Sequence, residues 1–215
     1  MKAASSQGDA AELTAEEECH RGDETRGSRR RAKRRHSEGT MNSAQKITFH
    51  AGKFLAFVKE GRWEYVDRLG ATGAAIVVAV TSERKLLLVE QYRIPVHART
   101  IELPEGIIGD DPGGNESPAD AAHRELLEET GYAAERIETL ATGPASSGLT
   151  SEVVTLLLAS GLKRVHAGGG VGHENITVHE VPLSEVHDWL AAKASEGLLI
   201  EPKVYAGLYF IGRRQ

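Results

Sequence analysis

A mixed α/β domain preceded by a small antiparallel β extension is the fold class the sequence predicts, and three observations carry it. Short β-branched and apolar runs of strand length recur along the chain, separated by Gly- and Ser-bearing turns. A few segments instead show helical apolar spacing, and they lie between and after those runs. Nothing repeats at a fixed period, and no linker separates a second hydrophobic block.

Bulk properties bound the class. Of 215 residues, 40% are hydrophobic and 27% charged, as in an ordinary globular chain large enough to bury a core. No run approaches the roughly 20 apolar residues of a membrane span, and the polar N-terminus has no secretory h-region, so a cytoplasmic location is expected. Cys19 is the lone cysteine and sets disulfide chemistry aside. Residues 1–40 hold nine basic and eight acidic side chains, leaving 17 against 23 for the rest. A body that acidic argues against a general nucleic-acid binder.

Residues 1–43 contain almost no large apolar side chains and read as a disordered tail. The basic run Arg29 to Arg35 is either a solvated stretch or a patch for an anionic surface, and Met41 is an alternative natural start. In the extension, 44–70, Lys46–His50, Phe54–Lys59 and Trp63–Arg68 read as strands divided by Ala51-Gly52 and Glu60-Gly61. Residues 71–215 form the main domain. Gly73–Thr81 and Lys85–Gln91 resemble a buried hairpin. Ser117–Thr130 is a helix: Ser117 and Asp120 make a capping box, Pro118 suits the first turn, Gly131 ends it, and Ala119, Ala122 and Leu126 form its stripe. Strands Ile137–Ala145, Glu152–Ala159 and Ile176–Pro182 follow, then helices Ser184–Ala194 and Lys203–Phe210.

The chemistry concentrates in Arg124-Glu125-Leu126-Leu127-Glu128-Glu129-Thr130-Gly131-Tyr132. On an ideal helix Glu125 and Glu129 point the same way, about 6 Å apart, with Glu128 close by. Three carboxylates with no basic residue one turn further on repel one another. They form either a solvated acidic face or a seat for a hard cation, Mg²⁺ with Mn²⁺ as a substitute, that would hold a pyrophosphate and activate water.

From Glu116 onward this stretch resembles the box of the Nudix hydrolases, G-x5-E-x7-R-E-U-x-E-E-x-G-U, with Glu116 eight positions before Arg124. The opening glycine departs: its place is Asp110, and Gly106 and Gly109 lie earlier in Leu103-Pro104-Glu105-Gly106-Ile107-Ile108-Gly109, as though the loop were expanded by four residues. The resemblance implies an α/β/α sandwich with a mixed sheet. It makes Glu125 and Glu129 the principal metal ligands and Glu128 an additional one, with the Glu105 carbonyl contributing a backbone oxygen. Glu116 and Arg124 become an orienting ion pair.

For the general base the residues leave two candidates. Glu174 follows the glycine-rich Gly168 to Gly172 and His173 and resembles the acidic loop of ADP-ribose pyrophosphatases, whose glycines would let it close over substrate. Glu152 ends Ser146-Ser147-Gly148-Leu149-Thr150-Ser151-Glu152, which is similar to the family's S-P-G-x-T-x-E but has Ser147 for the proline.

Two further stretches point to that subfamily. Trp63-Glu64-Tyr65-Val66-Asp67-Arg68 resembles W-E-x-V-x-R, in which Trp63 would stack a base, Glu64 accept from an exocyclic amine and Arg68 meet phosphate. Gln91-Tyr92-Arg93-Ile94-Pro95 resembles Q-[FY]-R-x-P, with Arg93 as a fork for pyrophosphate. The bland readings are strand packing for Trp63 and a surface ion pair for Arg93. The resemblance, from Lys46 to Arg213, implies a homodimer built through the extension and cleavage of ADP-ribose to AMP and ribose 5-phosphate. Alternatives are GDP-sugars, dinucleoside polyphosphates or NADH as substrate, or a non-catalytic nucleotide sensor.

Overall fold

The computed structural model describes residues 45–109, 115–172 and 175–214, and residues 43–215 form one compact unit. The expectations for the tail, for most of the expanded loop, and for His173 and Glu174 lie outside the described residues. The chain opens with β1 (Lys46–Ala51), β2 (Leu55–Glu60) and β3 (Trp63–Arg68), an antiparallel meander in the order β1-β2-β3. The turn glycines deliver the hairpins, with Gly61 at φ 58 between β2 and β3.

The main domain holds two four-stranded mixed sheets. The first has the order β7-β4-β10-β9, from β4 (Gly73–Ala79), β7 (Glu105–Ile108), β9 (Arg136–Pro144) and β10 (Val153–Ser160), with β4 and β10 parallel. The second has the order β12-β5-β6-β13, from β5 (Lys85–Arg93), β6 (Ala98–Glu102), β12 (Thr177–Pro182) and β13 (Leu199–Ile200), with β6 and β13 parallel. A two-residue ladder joins β8 (Tyr132–Ala133) to β11 (Lys163–Arg164). The helices are α1 (Pro118–Glu125), α2 (Val186–Ser195) and α3 (Pro202–Gly212).

Strand periodicity explains the layering. Alternate residues of β4 face opposite ways: Ala75, Val77 and Ala79 pack with Ala121, Ala122 and Leu126 of the α1 segment, whereas Ile76 and Val78 pack with Val186, Leu190 and Val204 from α2 and α3. Helices therefore cover both faces of β4, the α/β/α arrangement. The inward stripe of α1 uses Ala121 where Ala119 was expected.

Three differences from the expected elements have physical reasons. Gly73–Thr81 and Lys85–Gln91 do not form a hairpin. They meet in one bridge, Val80 with Leu86, and then diverge into separate sheets, because β4 is already paired on both edges by β7 and β10. Continuous apolar sequence marks both as buried strands without saying which neighbour each takes. The carboxylate helix is not α-helical throughout: after Glu125 it widens into a π turn over Leu126–Thr130 before Gly131 at φ 75. Such single turns recur at functional sites. Strands β6 and β7 are the third, since Arg99, Glu102 and Glu105 break the apolar pattern there.

Candidate active site

Ser117 and Asp120 close the capping box at the start of α1, Ser117 Oγ accepting from the Asp120 N–H at 3.2 Å and Asp120 Oδ2 from the Ser117 N–H at 3.3 Å. One turn later Arg124 reaches back as a bidentate fork to Glu116, with Nε to Oε1 at 2.8 Å and Nη2 to Oε2 at 3.0 Å. Its Nη2 also donates to the Ile107 carbonyl at 3.1 Å, and Glu116 Oε2 accepts from the Gly109 N–H at 3.0 Å. This pair thus pins the strand β7 loop to the helix. The Arg124 hydrogen bond holds the Glu116 carboxyl below its usual 4.5, outweighing burial.

The other face of Arg124 meets the acidic residues. Nη1 lies 2.6 Å from Glu125 Oε1 and 3.5 Å from Glu128 Oε2. Glu129 is buried, at 4% exposure, and its Oε2 accepts from the Glu105 backbone N–H at 3.0 Å. Gly106 follows, and a Cβ there would sit 1.7 Å from Glu125 Oε1. Residues 105 and 106 therefore form a platform against which both Glu125 and Glu129 rest, and only glycine leaves room for Glu125. That close approach fits Gly106, rather than Gly109, to the glycine of the motif. The donor set is all carboxylate, and the Arg124 beside it is largely committed to Glu116. Hard oxygens in that balance suit Mg²⁺ or Mn²⁺.

The glycine-rich segment docks on the end of this helix. Gly169 N–H donates to the Glu129 carbonyl at 2.7 Å and Gly170 N–H to that of Glu128 at 3.1 Å, filling acceptors the helix end leaves open. Gly168 has φ 74, and a Cβ would lie 2.4 Å from the Thr130 carbonyl carbon. In this structure the first glycines of the segment, Gly168 to Gly170, sit against the helix end, and at Gly168 the approach is backbone against backbone.

Arg93 and Glu105 meet in a second network. Arg93 forks onto Glu102, Nε to Oε1 at 2.9 Å and Nη2 to Oε2 at 2.5 Å, and Nη2 lies 3.2 Å from Glu105 Oε1. The fork assigned to pyrophosphate is thus already on a buried carboxylate. Burial alone would raise the Glu102 carboxyl, but Arg93 and Thr100 outweigh it and hold it low. Lys203 Nζ bridges Glu105 Oε2 at 2.5 Å and Glu201 Oε1 at 2.7 Å. Burial first, then the Glu201 charge, push the Glu105 carboxyl up to about 7 against the pull of Lys203. Glu102, Glu105 and Glu201 bring carboxylate oxygens within 4.8 Å of one another, but Arg93 and Lys203 already supply the cations. Arg93, Glu102, Glu105 and Glu201 line a cleft of about 540 Å³ with Val96, Ile200 and Pro202 among its apolar walls. Glu201 and Lys203 escaped the sequence reading; Glu201-Pro202 at a helix start was the signal available.

The third group joins the extension to the main domain. Arg68 Nε is hydrogen-bonded to Glu152 Oε1, so the expected phosphate ligand and one candidate base neutralise each other. Asp67 accepts from Ser151 Oγ at 2.5 Å, and Val66 N–H donates to the Leu149 carbonyl at 2.8 Å, which lays residues 149–152 along β3. Trp63, 54% exposed, and Glu64 stand on β3 outside these networks.

A model of the NUDIX domain matches residues 71–199. The chain belongs to the NUDIX family. Its relatives include the methanol dehydrogenase activator of Bacillus methanolicus, 38% identical over 56% of this chain and 64% of that one. The ADP-ribose pyrophosphatase of Bacillus subtilis is 39% identical over 42% and 46%, and the ADP-sugar pyrophosphatase of Mus musculus 32% identical over 79% and 83%. The chain thus spans less than two thirds of the first two relatives. A solved structure titled as an ADP compounds hydrolase superposes with a TM-score of 0.62 at 19% identity, covering 80% of this chain and 91% of that one, a likeness of fold. Within the NUDIX match lie the whole helix Pro118–Thr130 and its platform; Trp63, Arg68, Glu201 and Lys203 fall outside it.

Proposed function

We propose that the protein is a Mg²⁺-dependent hydrolase of nucleoside diphosphate sugars, cleaving ADP-ribose to AMP and ribose 5-phosphate. The observation that carries this is the platform of residues 105–106, which holds Glu125 and Glu129 side by side beside Glu128. The relatives named for ADP-ribose and ADP-sugar support the substrate class. Glu125, Glu128 and Glu129, with the Glu105 carbonyl, would hold the metal. Bound there, Mg²⁺ supplies charge neutralisation to the pyrophosphate and makes a coordinated water more acidic. Arg124 keeps Glu125 oriented while Glu116 keeps Arg124 oriented. Glu174, four residues beyond the docked Gly170, is the preferred base to take the proton of the attacking water. Glu152, spent on Arg68, is the lesser candidate and serves to place Arg68.

Trp63 and Glu64 are assigned to the base of the nucleotide, and Arg68 and Arg93 to its phosphates once substrate competes with Glu152 and Glu102. The extension exposes Ile47, Phe49, Leu55 and Phe57, with Phe49 and Phe57 ring centroids 5.3 Å apart, an apolar surface that a second copy of the chain would cover in a homodimer. No helix among the described residues is long and apolar enough to cross a membrane, and a cytoplasmic enzyme accords with this.

The test is a panel of ADP-ribose, GDP-mannose, diadenosine tetraphosphate and NADH with Mg²⁺, products separated by chromatography, for wild type and Glu129→Gln. AMP from ADP-ribose, lost in the variant, is the expected result. Preference for another substrate keeps the metal helix and overturns the roles of Trp63 and Arg68; no cleavage of any overturns the enzyme reading.

A further inference from the structure

We propose that Lys203 is a positioning residue for the metal platform, acting through the side chain of Glu105 on the ligand Glu129. The inference rests on the hydrolase reading above and extends it to a part of the chain, residues 201–204, beyond the 71–199 stretch that the family model matches.

Glu105 has two working ends. Its backbone N–H donates to Glu129 Oε2 at 3.0 Å, and its carboxylate is held by Lys203 at 2.5 Å and Arg93 at 3.2 Å. Between the ammonium of Lys203 and the carboxylate of Glu129 there is therefore a single residue. The next residue, Gly106, abuts Glu125, so a displacement of Glu105 is felt by both box glutamates.

Lys203 can fix this point because its own base is fixed. Leu199 and Ile200 pair with Thr100 and Ile101 in the β6–β13 ladder, and Glu201 N–H donates to the Ile101 carbonyl at 3.0 Å. Val204 is fully buried, and Gly207 brings α3 against Leu103, where a Cβ would meet Cδ1 at 3.1 Å. Leu103 stands two residues before Glu105, so both ends of the Lys203–Glu105 pair hang from the same packed corner. The cluster has three carboxylates, Glu102, Glu105 and Glu201, against two cations. Without Lys203 the three acidic groups are left with Arg93 alone in a half-buried space: Glu105 keeps only its 3.2 Å contact to Arg93, and Glu201 loses the ammonium at 2.7 Å. A group hydrogen-bonded directly to a ligand is worth roughly 10–100-fold in metal affinity; the Glu105 N–H on Glu129 is such a group, and Lys203 holds the residue that carries it.

The experiment measures Mn²⁺ binding to substrate-free protein by the loss of the free-ion electron paramagnetic resonance signal, for wild type, Lys203→Met, Lys203→Arg, Glu105→Gln and the Lys203→Met/Glu105→Gln double variant. Thermal melts without metal run alongside. The expected result is roughly 10-fold weaker binding or more for Lys203→Met, recovery in Lys203→Arg, and a double variant no worse than Glu105→Gln alone. Glu105→Gln keeps the backbone N–H and removes the charge that Lys203 and Arg93 share, so it reports the link even where Lys203→Met fails to fold; wild-type affinity in that variant overturns the proposal. Unchanged affinity in a folded Lys203→Met, or losses that add fully in the double variant, overturn it too while leaving the hydrolase reading intact. A wild type that binds no Mn²⁺ overturns both.

Discussion

Replacing Gly106 with alanine separates metal positioning from folding. Gly106 does not have a positive φ, so alanine meets no backbone strain there. What its Cβ meets is the Glu125 side chain: Oε1 at 1.7 Å, Cδ at 1.9 Å and Cγ at 2.5 Å, against the 3.4 Å at which ordinary contact begins. The carboxylate must retreat by about 1.7 Å, and a side chain does this by leaving its rotamer, at about 0.5–1.5 kcal/mol. Retreat also weakens the 2.6 Å contact with Arg124, a partly exposed pair of the kind that contributes about 0.2–1 kcal/mol. Together these sum to roughly 0.7–2.5 kcal/mol, or a melting point lower by about 1–10 °C for a domain of this size. Activity suffers far more, because a 1 Å misplacement at a reacting centre can cost about 100-fold. Thermal melting and Mg²⁺-dependent ADP-ribose hydrolysis on the same preparation check both numbers. A variant within about threefold of wild-type kcat/KM would refute the reasoning, since Glu125 would then be free to move without consequence.

Other expectations follow from single residues. Glu116 is held below 4.5 chiefly by Arg124, so it binds fewer protons folded than unfolded: its stabilisation is full above pH 4.5 and lost as pH falls through the depressed value. Glu116→Gln should therefore flatten the acid limb of a stability profile, and an unchanged slope would contradict this. Tyr132 runs the other way, because burial first and then Glu180, 2.8 Å from its hydroxyl, push it up to about 12. Its contribution is present below about pH 10 and fades between 10 and 12, so Tyr132→Phe should lose less stability than wild type in alkaline melts over that window. For Trp63→Ala, loss of a stacking face worth roughly 1–3 kcal/mol should raise KM for ADP-ribose about 5-fold to 150-fold with kcat nearly constant. A fall in kcat with KM unchanged would remove Trp63 from the binding site.

The parts of this molecule legible in the sequence are those whose physics is local. Ser117, Asp120, Arg124 and Gly131 act within one helix, so capping, charge spacing and a left-handed end could all be read from neighbours a few residues apart. The same holds for β1 to β3, whose turns are marked by glycine. What resisted reading depends on distant partners. Glu102 is buried in a strand because Arg93 and Thr100 satisfy it, and no apolar pattern announces such a position. Lys203 and Glu105 are separated by nearly half the chain. The π turn at Leu126–Thr130 is hidden for another reason: its leucines satisfy the α-helical apolar spacing as well, and only the hydrogen bonds distinguish the two.

The docking of Gly169 and Gly170 onto the carbonyls of Glu129 and Glu128 has a bearing on how such enzymes can be rebuilt. The segment is secured to the carboxylate helix by main-chain atoms, and its three glycines, Gly168 to Gly170, all hold the positive φ that a side chain would oppose. The same segment is tied forward as well, since the Ile176 N–H donates to the Gly169 carbonyl at 3.4 Å, so an exchange of sequence starting anywhere before Ile176 would disturb the end of the helix that carries Glu128 and Glu129.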